Sequence, residues 1–265
     1  MGGVVSEGKA GTAGQTLTLA EVEVPRIGLG TNRLSDTAEH VAFVQEAVAA
    51  GIRVIDTAHT YTGGQSEATI GAALSQLSVD VVVATKGGWD DGRPESIREE
   101  IDESLRRLQT DSIALYYLHR PDPKVPIEES LGAIKEARDS GKIRQVGLSQ
   151  VGVEELERAR RVVSVAAVQN HYSLSERKHE DVLDYCTREG IVFVPFFPLR
   201  GVEGRELEAT AERHGVTVKQ IALAWLLARA PVTLPIPGTL SGEHLQENLD
   251  ALELELPEAE LHALT

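Results

Sequence analysis

Residues 52–88 read IRVIDTAHTYTGGQSEATIGAALSQLSVDVVVATKGG. An apolar run stops at Asp56. A polar loop then carries Tyr61 and the Gly63–Gly64 pair, and a segment with helical spacing leads to a second apolar run that stops at Lys86. Neither run alternates with polar residues, as a strand with one wet face would. Both are apolar along their length, which is the pattern of parallel strands buried on both faces. Strand, helix and strand in this order make a β-α-β unit with a right-handed crossover.

The same unit recurs in both directions. Upstream, TAEHVAFVQEAVAAG has helical spacing and a stop at Gly51. Downstream, PESIREEIDESLRRL reads as a helix opened by Pro94, a favourable first-turn residue. The strand SIALYYLHR, the helix IEESLGAIKEARDSG, the strand IRQVGLSQ and the helix VEELERARRVV follow. Next come the strand VAAVQN, the helix SERKHEDVLDYCTREG and the strand IVFVPFFPL. The helices ELEATAERHG and TVKQIALAWLLAR, a last strand VTLPIPG and a final helix GEHLQENLDAL complete the chain. Counted from Ile27, eight strands each lead to a helix, which predicts an α/β fold, a (β/α)8 TIM barrel. LTLAEVEVPRIGLG predicts a short N-terminal hairpin ahead of the first strand. Residues 1–15, glycine-rich and without periodicity, are expected to be a disordered tail, and 16–265 a single barrel domain. GLGTNRLS lacks the G-x-G-x-x-G spacing that an open dinucleotide-binding sheet would show.

The chain has 265 residues and a formal net charge of −15, which argues against nucleic acid and anionic membranes as partners. No apolar run approaches the ~20 residues of a membrane helix. The first residues lack the order of a secretory signal. One cysteine, Cys186, permits no internal disulfide and accords with a reducing compartment. A cytoplasmic, monomeric protein is expected.

In such a barrel the C-terminal strand ends face the active site. Polar residues fall there in order: Asp56 with Tyr61 in the loop beyond, Lys86, His119, Ser149 and Gln150, then Gln169 and Asn170. Phe196 and Phe197 end the seventh strand. Taken singly, Asp56 reads equally as a turn cap, Tyr61 as a core aromatic, Lys86 as a solvated amine and His119 as a structural imidazole. Four ionisable groups on one barrel face need mutual pairing to offset desolvation, which favours a functional reading. A phenol ordinarily titrates near 10, and a neighbouring ammonium favours its ionised form. A carboxylate keeps that ammonium charged, and an imidazole orients a carbonyl or shares in the proton relay. Such a set protonates an oxygen but holds no electron source, so the electrons come from a cofactor. A metal-dependent hydrolase using Asp56, His59 and His119 would want a denser set of ligands, and Lys86 opposes a cation; no metal is expected.

These segments resemble the aldo-keto reductase superfamily from about Leu17 to the end. IDTAHTY, VVVATKGG and LYYLHRPDP resemble its aspartate–tyrosine, lysine and histidine segments, and GLSQ, VQNHYS, VPFFPL and IPGTLSGEHLQEN its cofactor segments. The resemblance implies NAD(P)H-dependent carbonyl reduction with Asp56, Tyr61, Lys86 and His119 as the catalytic tetrad and Tyr61 as proton donor. It implies cofactor contacts from Gly30, Thr31, Asp56, Ser149, Gln150, Gln169, Phe196, Leu199, Gly238, Thr239, Ser241, His244, Glu247 and Asn248. Ser149, Gln150 and Gln169 would meet the carboxamide, and Phe196 would stack on the nicotinamide. Gly238 and His244 stand where the family often has lysine and arginine, which weakens the case for strict NADPH use; His244, Thr239 and Ser241 can still serve a 2′-phosphate, so NADPH is favoured and NADH is possible. The alternative is that SGEH is only a helix cap. Asn32, Trp89 and Arg120 flank the strand ends and are expected around the substrate, with Arg120 paired to Asp122 as the alternative. The resemblance is greatest to the bacterial branch with pyridoxal-reductase-like proteins, which points to pyridoxal or another aromatic or small aldehyde. A cofactor-binding regulatory subunit with little turnover is the alternative.

Overall fold

The structure, a computed structural model, describes residues 15–264, so most of the expected N-terminal tail lies outside the described residues. Strands β1 (Thr16–Leu19) and β2 (Val22–Pro25) form an antiparallel hairpin. Its turn residues Ala20 and Glu21 both have positive φ, the geometry that matches the twist of a tight hairpin.

The sheet that follows runs β3 (Leu29–Gly30), β4 (Val54–Asp56), β5 (Val82–Gly87), β6 (Ile113–Leu118), β7 (Ile143–Ser149), β8 (Val165–His171) and β9 (Val192–Phe196). These strands pair in chain order and all in parallel. Helices α1 (Ala38–Ala49), α2 (Gln65–Leu74), α3 (Pro94–Leu108), α4 (Ile127–Asp139), α5 (Val153–Arg160) and α6 (Glu180–Glu189) lie between successive strands. Then α7 (Arg205–His214), α8 (Val218–Arg229) and α9 (Gly242–Asp250) follow, with a short α10 (Glu258–Ala263) beyond the helix expected to be last. Local chemistry sets the helix ends. Thr37 caps α1 by accepting from the His40 amide, Pro94 opens α3, and α6 and α7 stop at left-handed Gly190 and Gly215.

The eighth strand departs from expectation. Residues 232–238 close the barrel, but as isolated bridges. On one side this segment meets Phe193 of β9, through Phe193 N to Val232 O and Leu234 N to Phe193 O. On the other side Gly28 N donates to Pro235 O and Gly30 N to Pro237 O. In a strand, the N–H and C=O of one residue point the same way. The residues facing β3 are therefore Pro235 and Pro237, which have no N–H to return. The chain path is that of a closed barrel, with half a ladder at the seam. Helix α6 also begins five residues later than SERKHE suggested. Ser173 and Glu176 exchange backbone hydrogen bonds in a tight turn instead.

Apolar side chains form two layers. One lies between strands and helices and includes Ile55, Ile70, Ile97, Leu118 and Phe193. The other fills the barrel lumen: Val54, Val82, Leu115, Val192, Leu234 and Ile236, with Leu19, Ala20 and Val24 of the hairpin. Each buried Val, Leu, Ile or Phe among them contributes about 1.5–3 kcal/mol. Val54, Val82 and Val192 begin their strands, so the hairpin covers the N-terminal mouth. The Ala20 amide donates to Gln145 Oε1 on β7 at 2.9 Å and fastens it there. The opposite mouth is left for polar side chains. Among the described residues, no helix is long and apolar enough to cross a membrane.

Candidate active site

Strand register sets which polar groups meet. Asp56 pairs with Gly30 on one side and Ala84 on the other, Lys86 with Tyr117, and Ser149 with Gln169. Alternation then aims Lys86 inward and its neighbour Thr85 outward. Lys86 is fully buried and Asp56 nearly so. The Lys86 Nζ donates to Asp56 Oδ1 at 2.6 Å and to the Thr57 carbonyl at 2.6 Å, and reaches the Tyr61 hydroxyl at 3.4 Å. Gln169 Nε2 donates to the other carboxylate oxygen, Asp56 Oδ2, at 2.7 Å. Burial pushes the Asp56 carboxyl up, against the Lys86 charge and the hydrogen bonds from Lys86 and Gln169. Burial also opposes charge on Lys86, but Asp56 and Tyr61 outweigh it and hold the amine above its ordinary value. With both partners fully hydrogen-bonded, the ion pair is the state the geometry supports.

His119, at the end of β6, is buried and neutral. Burial, with the charges of Lys86 and Arg120, lowers its imidazole to about 3. Its Nδ1 has no partner. Its ring lies 4.6 Å from that of Trp89 and edge-on to Tyr61 at 6.0 Å. A neutral imidazole can donate a hydrogen bond to a carbonyl oxygen but cannot serve as the charged member of a proton relay, which narrows the sequence reading.

A cavity of about 850 Å³ opens over these groups, a size suited to a ligand larger than a simple aldehyde. Of the residues singled out from the sequence, Gly30, Thr31, Asn32, Asp56, Tyr61, Trp89, His119, Ser149, Gln150, Gln169, Phe196, Leu199 and Gly238 line it. A Cβ on Gly30 would lie 2.7 Å from the Ile236 carbonyl, so this part of the wall has to be glycine. The Phe196 ring stacks on His171 behind it, 5.5 Å apart and 15° from parallel.

Several expectations are revised. Arg120 is not among the lining residues: its Nε donates to the Trp89 carbonyl at 2.7 Å and its guanidinium sits 4.6 Å over the Trp89 ring. It does not pair with Asp122 either, whose carboxylate takes the amides of Gly92 and Lys124. Arg120 thus sets the position of Trp89. Gln150, left-handed at φ 58°, donates its amide to the His119 carbonyl at 3.2 Å. Asn170 points away from the mouth and bonds both backbone groups of Val151. Thr239, Ser241, His244, Glu247 and Asn248 lie beyond the cavity wall, which ends at Gly238. Ser241 caps α9 by accepting from the His244 amide, and its own amide donates to Thr239 Oγ1. His59 is held by Glu103 at 2.8 Å, a loop anchor.

Phe197, placed at the mouth with Phe196 from the sequence, lines the cavity too, whereas sequence reasoning missed Arg33, Thr60, Pro198, Arg200, Ile236 and Pro237, which also line it. Arg33 and Arg200 matter most, as permanent cations in an acidic chain; Arg33 Nη2 donates to the Gly238 carbonyl at 3.2 Å. Their one local signal was position, beside GTN and beside Leu199.

The comparisons agree with this geometry. The sequence model of the Aldo/keto reductase family matches residues 26–205 and 202–265. An uncharacterised oxidoreductase of Schizosaccharomyces pombe is 36% identical over 91% of the chain and 86% of its own length. Pyridoxine 4-dehydrogenase of Escherichia coli is 33% identical over 94% of the chain and 96% of its own. The aldo-keto reductase of Klebsiella pneumoniae solved in complex with NADPH superposes with a TM-score of 0.87 at 31% identity, over 94% of this chain and 93% of that one. A barrel whose polar mouth gathers Asp56, Lys86, Tyr61 and His119, and whose sequence matches along nearly all of its length, belongs to the aldo/keto reductase family of oxidoreductases.

Proposed function

We propose that the chain reduces an aldehyde or ketone to an alcohol with NADPH as hydride donor and Tyr61 as proton donor. The observation that carries this is the buried chain Gln169–Asp56–Lys86–Tyr61, whose last hydroxyl opens onto the cavity. The residues present fit a nicotinamide dinucleotide. Phe196 offers a flat ring, Ser149 and Gln169 offer polar groups beside it, Gly30 and Gly238 leave room for close backbone approach, and Arg33 and Arg200 supply positive charge. When bound, the cofactor supplies hydride to the carbonyl carbon. NADPH is further supported by the Klebsiella relative solved with it, and NADH remains a second substrate to assay.

The protein's own residues do the rest. The Tyr61 hydroxyl passes its proton to the carbonyl oxygen as negative charge grows there. Lys86, at 3.4 Å, faces the phenolate left behind. Asp56 holds Lys86 charged and in place, and Gln169 holds Asp56. Neutral His119 donates to the carbonyl oxygen and aligns it. Trp89, locked by Arg120, and Asn32 and Phe197 form the substrate rim. That aromatic rim, with the pyridoxine 4-dehydrogenase relative, supports pyridoxal or another aromatic aldehyde. An aldehyde panel followed by NADPH oxidation, with Tyr61→Phe alongside, is the test. Turnover should fall roughly 10²–10⁴-fold in the variant with NADPH binding unchanged. Wild-type turnover in Tyr61→Phe would remove the donor assignment. NADPH binding without turnover on every aldehyde would instead select a regulatory role.

A further inference from the structure

The Lys86–Tyr61 contact of 3.4 Å lies at the outer edge of hydrogen bonding, so the donor's place depends on the loop that carries it. That loop does not rest on the strands alone. Arg107, on α3, donates through Nη1 to the His59 carbonyl at 3.0 Å, two residues before Tyr61. Three residues after Tyr61 the loop presses Gly64 against the same guanidinium. Gly64 is left-handed, with φ 89°, and a Cβ there would overlap the Arg107 head group. One side chain thus grips the loop on both flanks of the phenol.

Arg107 is itself fixed. Nη1 also meets Glu67 Oε2 at 3.3 Å, and Nη2 meets Glu103 at 2.9 Å. Glu67 has no exposed surface, and its Oε1 accepts from Thr85 Oγ1 at 2.6 Å. Thr85 is the residue before Lys86 on β5 and points the other way. The contacts therefore close a ring through the strand: Lys86 to Tyr61 on the cavity side, then His59, Arg107, Glu67 and Thr85 behind it. The ammonium and the phenol are held in register from the back of the sheet.

We infer that Arg107, backed by Glu67, is a positioning residue that sets the distance between Tyr61 and Lys86. The inference rests on Tyr61 being the proton donor. Displacing a reacting group by about 1 Å costs on the order of 10²-fold in rate while leaving ground-state binding untouched. Arg107→Met is the direct variant, but it strands the buried Glu67 charge. The paired variant Glu67→Gln/Arg107→Met removes both charges and is measured beside it. For whichever of these shows a native circular dichroism spectrum, kcat should fall roughly 10–100-fold. The NADPH dissociation constant and the aldehyde KM should stay within about twofold, and the solvent deuterium isotope effect on kcat should rise. Arg107→Lys, which keeps a cation but loses the fork, should recover part of kcat. A folded paired variant with kcat within twofold of the parent would overturn the inference, as would parallel losses in cofactor binding. Tyr61→Phe in the same assays separates the two ideas. If it is inactive while the paired variant is fully active, only the role of Arg107 fails. If Tyr61→Phe is active, the donor assignment fails and this inference with it.

Discussion

The two mouths of the barrel are built from the same strands and solve opposite problems. At the N-terminal mouth Val54, Val82 and Val192 meet Leu19, Ala20 and Val24 of the hairpin, and apolar contact closes the lumen. At the C-terminal mouth, a few residues along each strand, Asp56, Lys86 and Gln169 are equally buried but ionic or polar. Apolar burial contributes to stability and tolerates volume-conserving swaps among its members. A buried ion pair does not: it is tolerated only while both partners stay hydrogen-bonded. One end of the lumen therefore holds the fold together, and the other places a burden on it for the sake of a reaction.

The sharpest way to break this contrast is Lys86→Met. Turnover should drop about 10³-fold or more, and urea denaturation should show a loss of roughly 3–5 kcal/mol, because Asp56 is left buried without its cation. Adding Asp56→Asn should restore most of the stability and none of the turnover. Stability that stays low in the double variant would mean that the pair holds the fold together.

Next in size is the pH dependence set by His119. The unfolded imidazole takes up a proton near 6.5, whereas the folded one waits until about 3. Between those values the unfolded chain binds more protons, so stability falls as pH drops from 6.5 towards 3, by roughly 5 kcal/mol at full development. Denaturation midpoints of the parent should fall more steeply over that window than those of His119→Gln. Equal slopes would remove His119 as the cause.

At the other mouth, Leu19→Ala should cost roughly 2–4 kcal/mol through lost burial and a residual cavity. Its kcat and KM should match the parent, and a changed kcat would tie the hairpin to the chemistry. The smallest effect is expected outside both mouths. His244 is exposed and lies past the cavity wall, so His244→Ala should weaken NADPH by only a few-fold, or ~1 kcal/mol. A hundredfold loss by titration would bring His244 into the binding surface.

How legible these regions were differs with the kind of signal. Asp56 and Lys86 stood out because each interrupts an apolar strand, and strand order alone brought them together. Ser149 was legible for the same reason, and Phe196 only through the resemblance of VPFFPL to a cofactor segment. Asn170 was placed at the mouth beside Gln169 although adjacent strand residues face opposite ways; the register gives Gln169 the inward place, in keeping with the resemblance. Arg120 was misread because its partner Trp89 is 31 residues away in a different loop. The grip of Arg107 on the Tyr61 loop spans 48 residues and uses a backbone carbonyl, which carries no residue-type signal at all. VTLPIPG looked like a strand because its apolar residues were weighed and the missing proline donors were not.

That seam has a consequence for how the molecule comes to be made. Gly28 and Gly30 must find Pro235 and Pro237 more than two hundred residues away; among the described residues two backbone bonds join them, beside those that Arg26 donates to the Leu227, Ala230 and Thr233 carbonyls. The joints from β3 to β9 link strands that follow one another in the chain, with parallel ladders. Closing the longest loop for the least return comes last. On this argument the protein should first form a curved open sheet wrapped in helices, and become a barrel only in its final step. In pulse-labelled hydrogen exchange during refolding, the Gly28 and Gly30 amides should gain protection after those of β5 to β7. Early protection there would mean instead that the two ends of the chain meet first and template the strands between them.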